Sequence, residues 1–246
     1  GTAKTALPNG LPVRGAEPFT VHAWVNCGPV GAPADEWQAR AAAALVQGEA
    51  YAVENVFWTG NASEGGVVLP HLAEDTAVVE GGGLEQTVLM QPAASVVTTG
   101  AVDVVEGLGR LEAALAGCYG GAGVIHVPQE LVAHLTANQL VKQQGQTLVT
   151  WSGHKVAAGA GYPGTSPAGA VPAAGTLWLY ATGAVKYWRG PVEFVSTFKQ
   201  AVNRSVNDLV LIAERTHVIT WDCCLFALPV SVGGVITGVY NSAGAT

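Results

Sequence analysis

The sequence contains few charged residues: Asp, Glu, Lys and Arg make up 12% of its 246 residues, and the formal net charge is −7. The eleven Lys and Arg residues form no run. Without a basic stripe to displace counterions, direct binding to DNA or RNA is not expected. Because apolar residues make up 49% of the chain, either a large core or burial of surface against other copies would keep it soluble.

An unbroken apolar run long enough to cross a membrane is also lacking. The longest apolar stretch, residues 225–240, is interrupted by Pro229, Gly233 and Gly234. Its alternation and its β-branched residues predict strands instead of a membrane span. Residues 1–10 lack the apolar centre of a signal peptide, so secretion is not expected.

The cysteines have neither a metal-binding spacing nor the spacing of an ordinary disulfide. Cys27 and Cys118 stand alone, Cys223 and Cys224 are adjacent, and no C-x-x-C occurs. An adjacent pair suits neither a zinc knuckle nor an ordinary cross-link. We therefore expect four buried free thiols in a reducing cytoplasm.

Residues 159–164 spell G-x-G-x-x-G, the pattern of a dinucleotide-binding loop. In such loops the glycines follow a strand and open a helix whose N-terminus binds the pyrophosphate. Here Pro163, Pro167 and Pro172 follow, and no helical period resumes. The pattern therefore predicts a Gly/Pro turn and not a cofactor site.

Candidate catalytic and metal-binding residues show no recognised spacing. Ser166 is followed by Pro167, which has no N–H for an oxyanion hole. The six histidines match neither H-x-x-x-H nor H-E-x-x-H. We assign no catalytic, cofactor-binding or metal-binding residue and expect no enzyme; the alternative, a hydrolase with a dispersed triad, would have to place a serine beside a histidine.

The strongest periodic signal predicts a long helix at residues 34–58. Asp35 and Glu36 lie in its first turn, where the helix dipole favours acids, and Thr59 with Gly60 supplies the stop. Its apolar face is predicted to comprise Trp37, Ala41, Ala44, Leu45, Gly48, Ala52 and Val56.

The remaining patterns predict a mixed α and β chain. Residues 1–33 form an extended arm that includes a strand at 19–25. A second helix at 103–121 is capped by Asp103, with the apolar stripe Val104, Leu108, Leu111, Leu115 and Cys118. A third helix, at 128–140, is opened by Pro128. Further strands are predicted at 76–80, 86–91, 94–98, 123–128, 147–153, 155–161, 176–183, 185–190, 192–198 and 209–232.

The order of arm, long helix, inserted α/β lobe and long terminal strands resembles the HK97-type major capsid proteins of tailed bacteriophages. Residues 36–60 resemble the spine helix in capsid proteins of phages that infect actinobacteria. Residues 118–135 resemble the opening of their axial domain, 153–169 with 176–185 its glycine-rich hairpin and following strand, and 207–230 the closing peripheral strands.

The resemblance implies an α+β, HK97-like capsid fold in four parts. They are an N-terminal arm and extended loop (1–33), the first part of a peripheral domain with the spine helix (34–100), an inserted axial domain (101–191) and peripheral return strands (192–246). The loop at 159–175 would then lie at the axial tip, around five- and six-fold centres.

The same resemblance implies a structural subunit that self-assembles into the icosahedral head shell around the phage genome. Its expected partners are other copies of itself in hexamers and pentamers, portal, scaffold or decoration proteins, and double-stranded DNA without specific binding; no membrane is involved. The expected location is the virion, after assembly in the host bacterial cytoplasm. Encapsulin-type nanocompartment shell proteins share the fold and stay an alternative, as does a minor capsid or tail protein.

Seven residues are expected at contacts between subunits. Glu214 and Arg215, in a strand pattern, are interpreted as an ion pair within or between subunits. The full set is Arg14, Glu17, Trp24, Tyr162, Pro163, Glu214 and Arg215. No residue matches the Lys–Asn cross-linking motif of some family members, so the resemblance does not extend to cross-linking, and the sequence leaves that question open.

Overall fold

The computed structural model describes residues 18–27, 33–61, 69–75, 78–82, 86–91, 93–195, 202–203, 208–222 and 224–232. These residues form a mixed α and β fold, as the periodicity predicts, with two larger sheets and helices packed against them. Most of the predicted arm, including Arg14 and Glu17, lies outside the described residues. No helix in the described ranges is long and apolar enough to cross a membrane.

The helices of this part of the chain are α1 (Ala34–Thr59), α2 (Val104–Cys118) and α3 (Leu131–Ala137). The strands in chain order are β1 (Phe19–Cys27), β2 (Val78–Gly82), β3 (Gln86–Gln91), β4 (Ser95–Val96), β5 (Val102–Asp103), β6 (Val124–Pro128), β7 (Val141–Gln144), β8 (Thr147–Thr150), β9 (Lys155–Gly159), β10 (Thr176–Thr182), β11 (Val185–Arg189), β12 (Glu193–Val195), β13 (Val202–Asn203), β14 (Asp208–Trp221) and β15 (Leu225–Ser231).

Helix α1 ends where the sequence predicts, because Gly60 adopts a left-handed φ of 74° and its N–H donates to the Val56 carbonyl at 2.8 Å. Of the predicted apolar face, Ala41 and Leu45 are buried. Gly48 is exposed, and the next buried position is Glu49. The buried face of α1 therefore repeats every four residues, and this spacing brings the Glu49 carboxylate into the interior.

The first sheet is built around the 14-residue strand β14. Antiparallel β1 runs along one of its edges, and β13, β12 and β11 pair in turn along the other. Helix α1 covers one face of this sheet, where Phe19, Val21, Leu211 and Ala213 are buried with Leu45. The opposite face of β14 has no helix packed against it among the described elements.

The second sheet has the order β4-β15-β10-β6-β9-β8-β7, with β5 also paired to β15. Helices α2 and α3 pack on it, and the apolar stripe of α2 is buried from Val104 to Leu115 as predicted, whereas Cys118, the last predicted member of the stripe, is exposed at the helix end. The Asp103 side chain accepts a hydrogen bond from the Val105 N–H at 2.8 Å, which confirms the predicted cap.

One sequence prediction about this lobe differs from the structure. Pro128 ends β6 and does not open a helix; α3 begins later, at Leu131. The chain passes between the two sheets more than once: β11 pairs with β14 in the first sheet, and β15 returns to the second sheet beside β10.

Candidate functional site

The glycine-rich loop at residues 159–164 lies against the C-terminal half of α1. A Cβ atom on Gly159 would stand 2.8 Å from Cδ of Glu54, and one on Gly161 would stand 2.9 Å from Cβ of Glu54 and inside contact distance of the Tyr51 carbonyl oxygen. The first residues of the loop therefore contact α1 closely, and Gly159 and Gly161 leave the space that a side chain would need.

Hydrogen bonds fix this contact. The Gly161 N–H donates to Oε2 of Glu54 at 2.9 Å, and the Trp58 indole N–H donates to the Thr165 hydroxyl at 3.0 Å. Burial raises the pKa of the Glu54 carboxyl, and the backbone N–H groups of Gly161 and Ala160 oppose this increase. The Glu54 side chain thus holds the loop on α1 by accepting a hydrogen bond from its backbone.

Tyr162 and Pro163, two of the expected contact residues, are neighbours in this loop but differ in exposure. Tyr162 is buried: its ring centroid lies 5.0 Å from that of Trp58, and its hydroxyl lies 3.4 Å from Nδ1 of His126. Pro163 is exposed beside it. Burial lowers the pKa of His126 to about 3, so this histidine is neutral.

A buried ionic cluster joins α1 to β14. Arg215 donates from Nη1 to both carboxylate oxygens of Glu49, at 2.8 and 2.7 Å. The Arg189 guanidinium stands 3.9 Å from the same carboxylate. Arg215 is therefore paired within the subunit, with a residue that the sequence patterns do not single out, and not with the adjacent Glu214. The sequence signal that could have identified Glu49 is its position four residues after Leu45 and eight after Ala41, on the apolar face of the predicted helix.

His217 completes the cluster. Its Nε2 lies 3.2 Å from Oε1 of Glu49, and its Nδ1 lies 2.8 Å from the Tyr187 hydroxyl. Burial lowers the pKa of His217, while the Glu49 carboxylate opposes this decrease. The arrangement links helix α1 to strands β11 and β14 through buried polar contacts.

The face of the first sheet opposite α1 carries exposed aromatic and aliphatic residues. Trp24, Ile212 and Val195 are aligned across β1, β14 and β12. Trp24 is 61% exposed and Val195 is 49% exposed. On β11, Trp188 pairs with Val218 of β14 and is 53% exposed. Exposed apolar groups gathered on one face are typical of a protein–protein contact surface.

Two carboxylates lie within this face. Glu214 stands directly opposite Glu193 on β12 and opposite His22 on β1. Like charges placed opposite each other on neighbouring strands are unfavourable, and a cationic group on a partner would relieve the repulsion. Of the seven expected contact residues, Trp24 and Glu214 thus lie on this face.

The expectation of four free thiols is wrong, because Cys118 and Cys224 form a disulfide across 106 residues of sequence. The sequence separation hid the pair, since the fold brings the end of α2 next to the start of β15, with a Cα–Cα distance of 6.2 Å. Cys223 and the side chain of Cys27 lie outside the described residues. Within the described ranges, no three His, Cys, Asp or Glu residues gather as metal ligands.

No protein-family model matches this sequence, and comparison with curated proteins finds no similar sequence. Solved structures do show similarity. A chain of the holo-SrpI encapsulin complex from Synechococcus elongatus PCC 7942 is 12% identical, over 91% of this chain and 78% of that chain, with a TM-score of 0.50.

Two further solved chains are similar to this chain at lower TM-scores. A chain of the capsid of an empty GTA particle is 14% identical, over 87% of this chain and 74% of that chain, with a TM-score of 0.47. A chain from Gordonia phage Cozz is 12% identical, over 88% and 71%, with a TM-score of 0.43. The fold assignment rests on the encapsulin chain: the protein has an HK97-like fold, the fold that encapsulins share with tailed-phage capsid proteins.

Proposed function

We propose that this protein is a structural subunit that self-assembles into the icosahedral head shell of a tailed phage. The observation that carries the proposal is the HK97-like fold, matched over 91% of the chain to an encapsulin. The resemblance of residues 36–60 to the spine helix of actinobacteriophage capsid proteins favours a phage head. The similarity to the encapsulin supports a second candidate, a nanocompartment shell that encloses protein.

The open face of the first sheet supports self-association. Trp24 and Trp188 expose large apolar areas there, and such residues supply much of the binding energy of protein contacts. Each subunit of a closed shell buries several contacts of about 1,600 Å² in total accessible surface. The low charge of the chain fits this use of its surface. Hexamers, pentamers, portal, scaffold or decoration partners, packaged DNA and a location in the virion belong to the same proposal.

Electron microscopy and size-exclusion chromatography of the purified full-length chain test the proposal. We expect closed particles that protect nucleic acid from nuclease when they are isolated from phage-producing cells. Closed particles filled with protein would favour the nanocompartment. A stable monomer or dimer at high protein concentration would contradict both.

Paired tryptophan variants test the proposed contact face. Trp24→Ser removes an exposed side chain on this face, so we expect the folded subunit to be retained and assembly to weaken at least about tenfold. Trp151→Ser is the matched control, because Trp151 is 67% exposed but follows β8, a strand of the second sheet, and so lies away from the proposed contact face. Circular dichroism should show both variants folded; equal assembly of the two would exclude the face.

A further inference from the structure

The disulfide between Cys118 and Cys224 has one accessible and one inaccessible half. Cys118 is the last residue of α2 and is exposed, whereas Cys224 is 6% exposed. Thiol–disulfide exchange depends on which sulfur an attacking thiolate can reach. A small thiol in solution therefore meets Cys118 first.

The buried half lies where the chain crosses from one sheet to the other. Strand β14 of the first sheet ends at Trp221, and β15 of the second sheet begins at Leu225. A second crossing runs alongside, between β10 and β11, and the Asp222 N–H donates to the Ala184 carbonyl at 2.9 Å to join the two. The disulfide thus ties α2 to the junction of the two sheets.

Neighbouring groups show that this junction is closely held. The Tyr119 hydroxyl donates to Oδ2 of Asp222 at 3.2 Å, directly beside the cross-link. Cys224 has a φ of 76°, in the left-handed region that residues other than glycine rarely adopt. A covalent bond to α2 helps to keep this residue in that conformation, so loss of the bond would loosen the start of β15.

We propose that Cys118 is a thiolation site for low-molecular-weight thiols, through which the redox state of the solution sets the rigidity of the crossing between the two sheets. A thiolate RS⁻ attacks Sγ of Cys118, the bond between the two cysteine sulfurs breaks, and Cys224 leaves as a thiolate and takes up a proton. A second RS⁻ attacks the mixed disulfide and releases RSSR and the Cys118 thiolate. Two RSH molecules are oxidised and one protein disulfide is reduced. The proposal does not depend on shell assembly.

Mass spectrometry of the full-length chain tests the site. Under non-reducing conditions we expect a peptide pair linked through Cys118 and Cys224. After brief treatment with reduced glutathione and an acid quench, we expect the glutathione adduct on Cys118 and a free thiol on Cys224. Free thiols at both positions before treatment, or an adduct mainly on Cys224, would overturn the proposal.

Hydrogen exchange tests the consequence for the crossing. Reduction should speed amide exchange at the start of β15, near Leu225, on the order of 100-fold, since a disulfide that closes a loop this long has a large effect on opening equilibria. Cys118→Ser should exchange like the reduced chain with or without reductant. Cys27→Ser, which removes a cysteine from β1, should exchange like the oxidised wild type. Unchanged exchange on reduction of the wild-type chain would refute the mechanical role.

Discussion

Replacement of Gly161 by alanine tests the packing of the glycine loop on α1. The added Cβ would lie 2.9 Å from Cβ of Glu54, 3.0 Å from the Asn55 nitrogen and inside contact distance of the Tyr51 carbonyl oxygen. Two of these neighbours are backbone atoms of α1 and cannot rotate away as a side chain could. Gly161 does not have a positive φ, so the substitution tests space alone.

The expected loss of stability has two parts. Forcing extra volume into a packed contact costs about 1–3 kcal/mol. If the loop moves away to make room, the Gly161 N–H also loses its bond to the Glu54 carboxylate, which adds about 1.5–3 kcal/mol for a bond to a charged group. Since the loop either stays and is overpacked or moves away and loses the hydrogen bond, the two costs do not add in full, and we expect the free energy of unfolding to fall by about 3 kcal/mol.

Urea unfolding followed by tryptophan fluorescence, at concentrations where the chain is monomeric, measures this change. With a slope of about 2–3 kcal/mol/M, the midpoint should fall by about 1 M. Gly48→Ala is the matched control: Gly48 is an exposed glycine of α1 whose Cβ position has no atom within 4 Å apart from the local helix backbone, and alanine there should stabilise the helix by about 0.5–1 kcal/mol. A midpoint for Gly161→Ala equal to that of the control would refute the packing argument.

Two further predictions concern buried ionisable residues. Glu49→Gln leaves Arg215 without its counterion and should lower the free energy of unfolding by about 3–5 kcal/mol. Glu36→Gln is the control, because Glu36 belongs to an exposed ion pair, and it should lower the free energy of unfolding by at most about 1 kcal/mol. Similar urea midpoints for the two variants would contradict the prediction. For His126, the unfolded pKa is about 6.5 and the folded pKa about 3. Between these values the unfolded chain binds the extra proton, so stability should fall by about 1.4 kcal/mol per pH unit as the pH decreases. His126→Gln should lose this part of the slope, and an unchanged slope would show that His126 is not its source.

The sequence predicts best those elements whose signals are local. Helix α1 is predicted at 34–58 and observed at Ala34–Thr59, because the acids of its first turn and the glycine that ends it are all close in sequence. Likewise, the cap of α2 depends only on Asp103 and the N–H two residues later. Pro128 misled because two turn residues, Gln129 and Glu130, separate it from the start of α3.

The features that the sequence could not predict depend on contacts between distant residues. Arg215 is 166 positions from its partner Glu49, and Cys118 is 106 positions from Cys224. Neither spacing carries a pattern, because the fold decides which residues meet. The exposure of Trp24 was predictable: Trp24 alternates with the apolar residues of β1 that face α1, so its side chain had to point away from the core.

The turn around Val171 offers a position for displaying a foreign peptide. Val171 is 69% exposed, and hydrogen bonds hold the chain on both sides of it: the Ala168 N–H donates to the Ala73 carbonyl and the Val232 N–H to the Gly175 carbonyl, each at 2.9 Å. Lengthening such a loop costs little, about 0.6 kcal/mol for each doubling. A foreign peptide grafted there would leave the interior untouched, so the folded chain would tolerate the insertion and keep the peptide accessible to an antibody in solution.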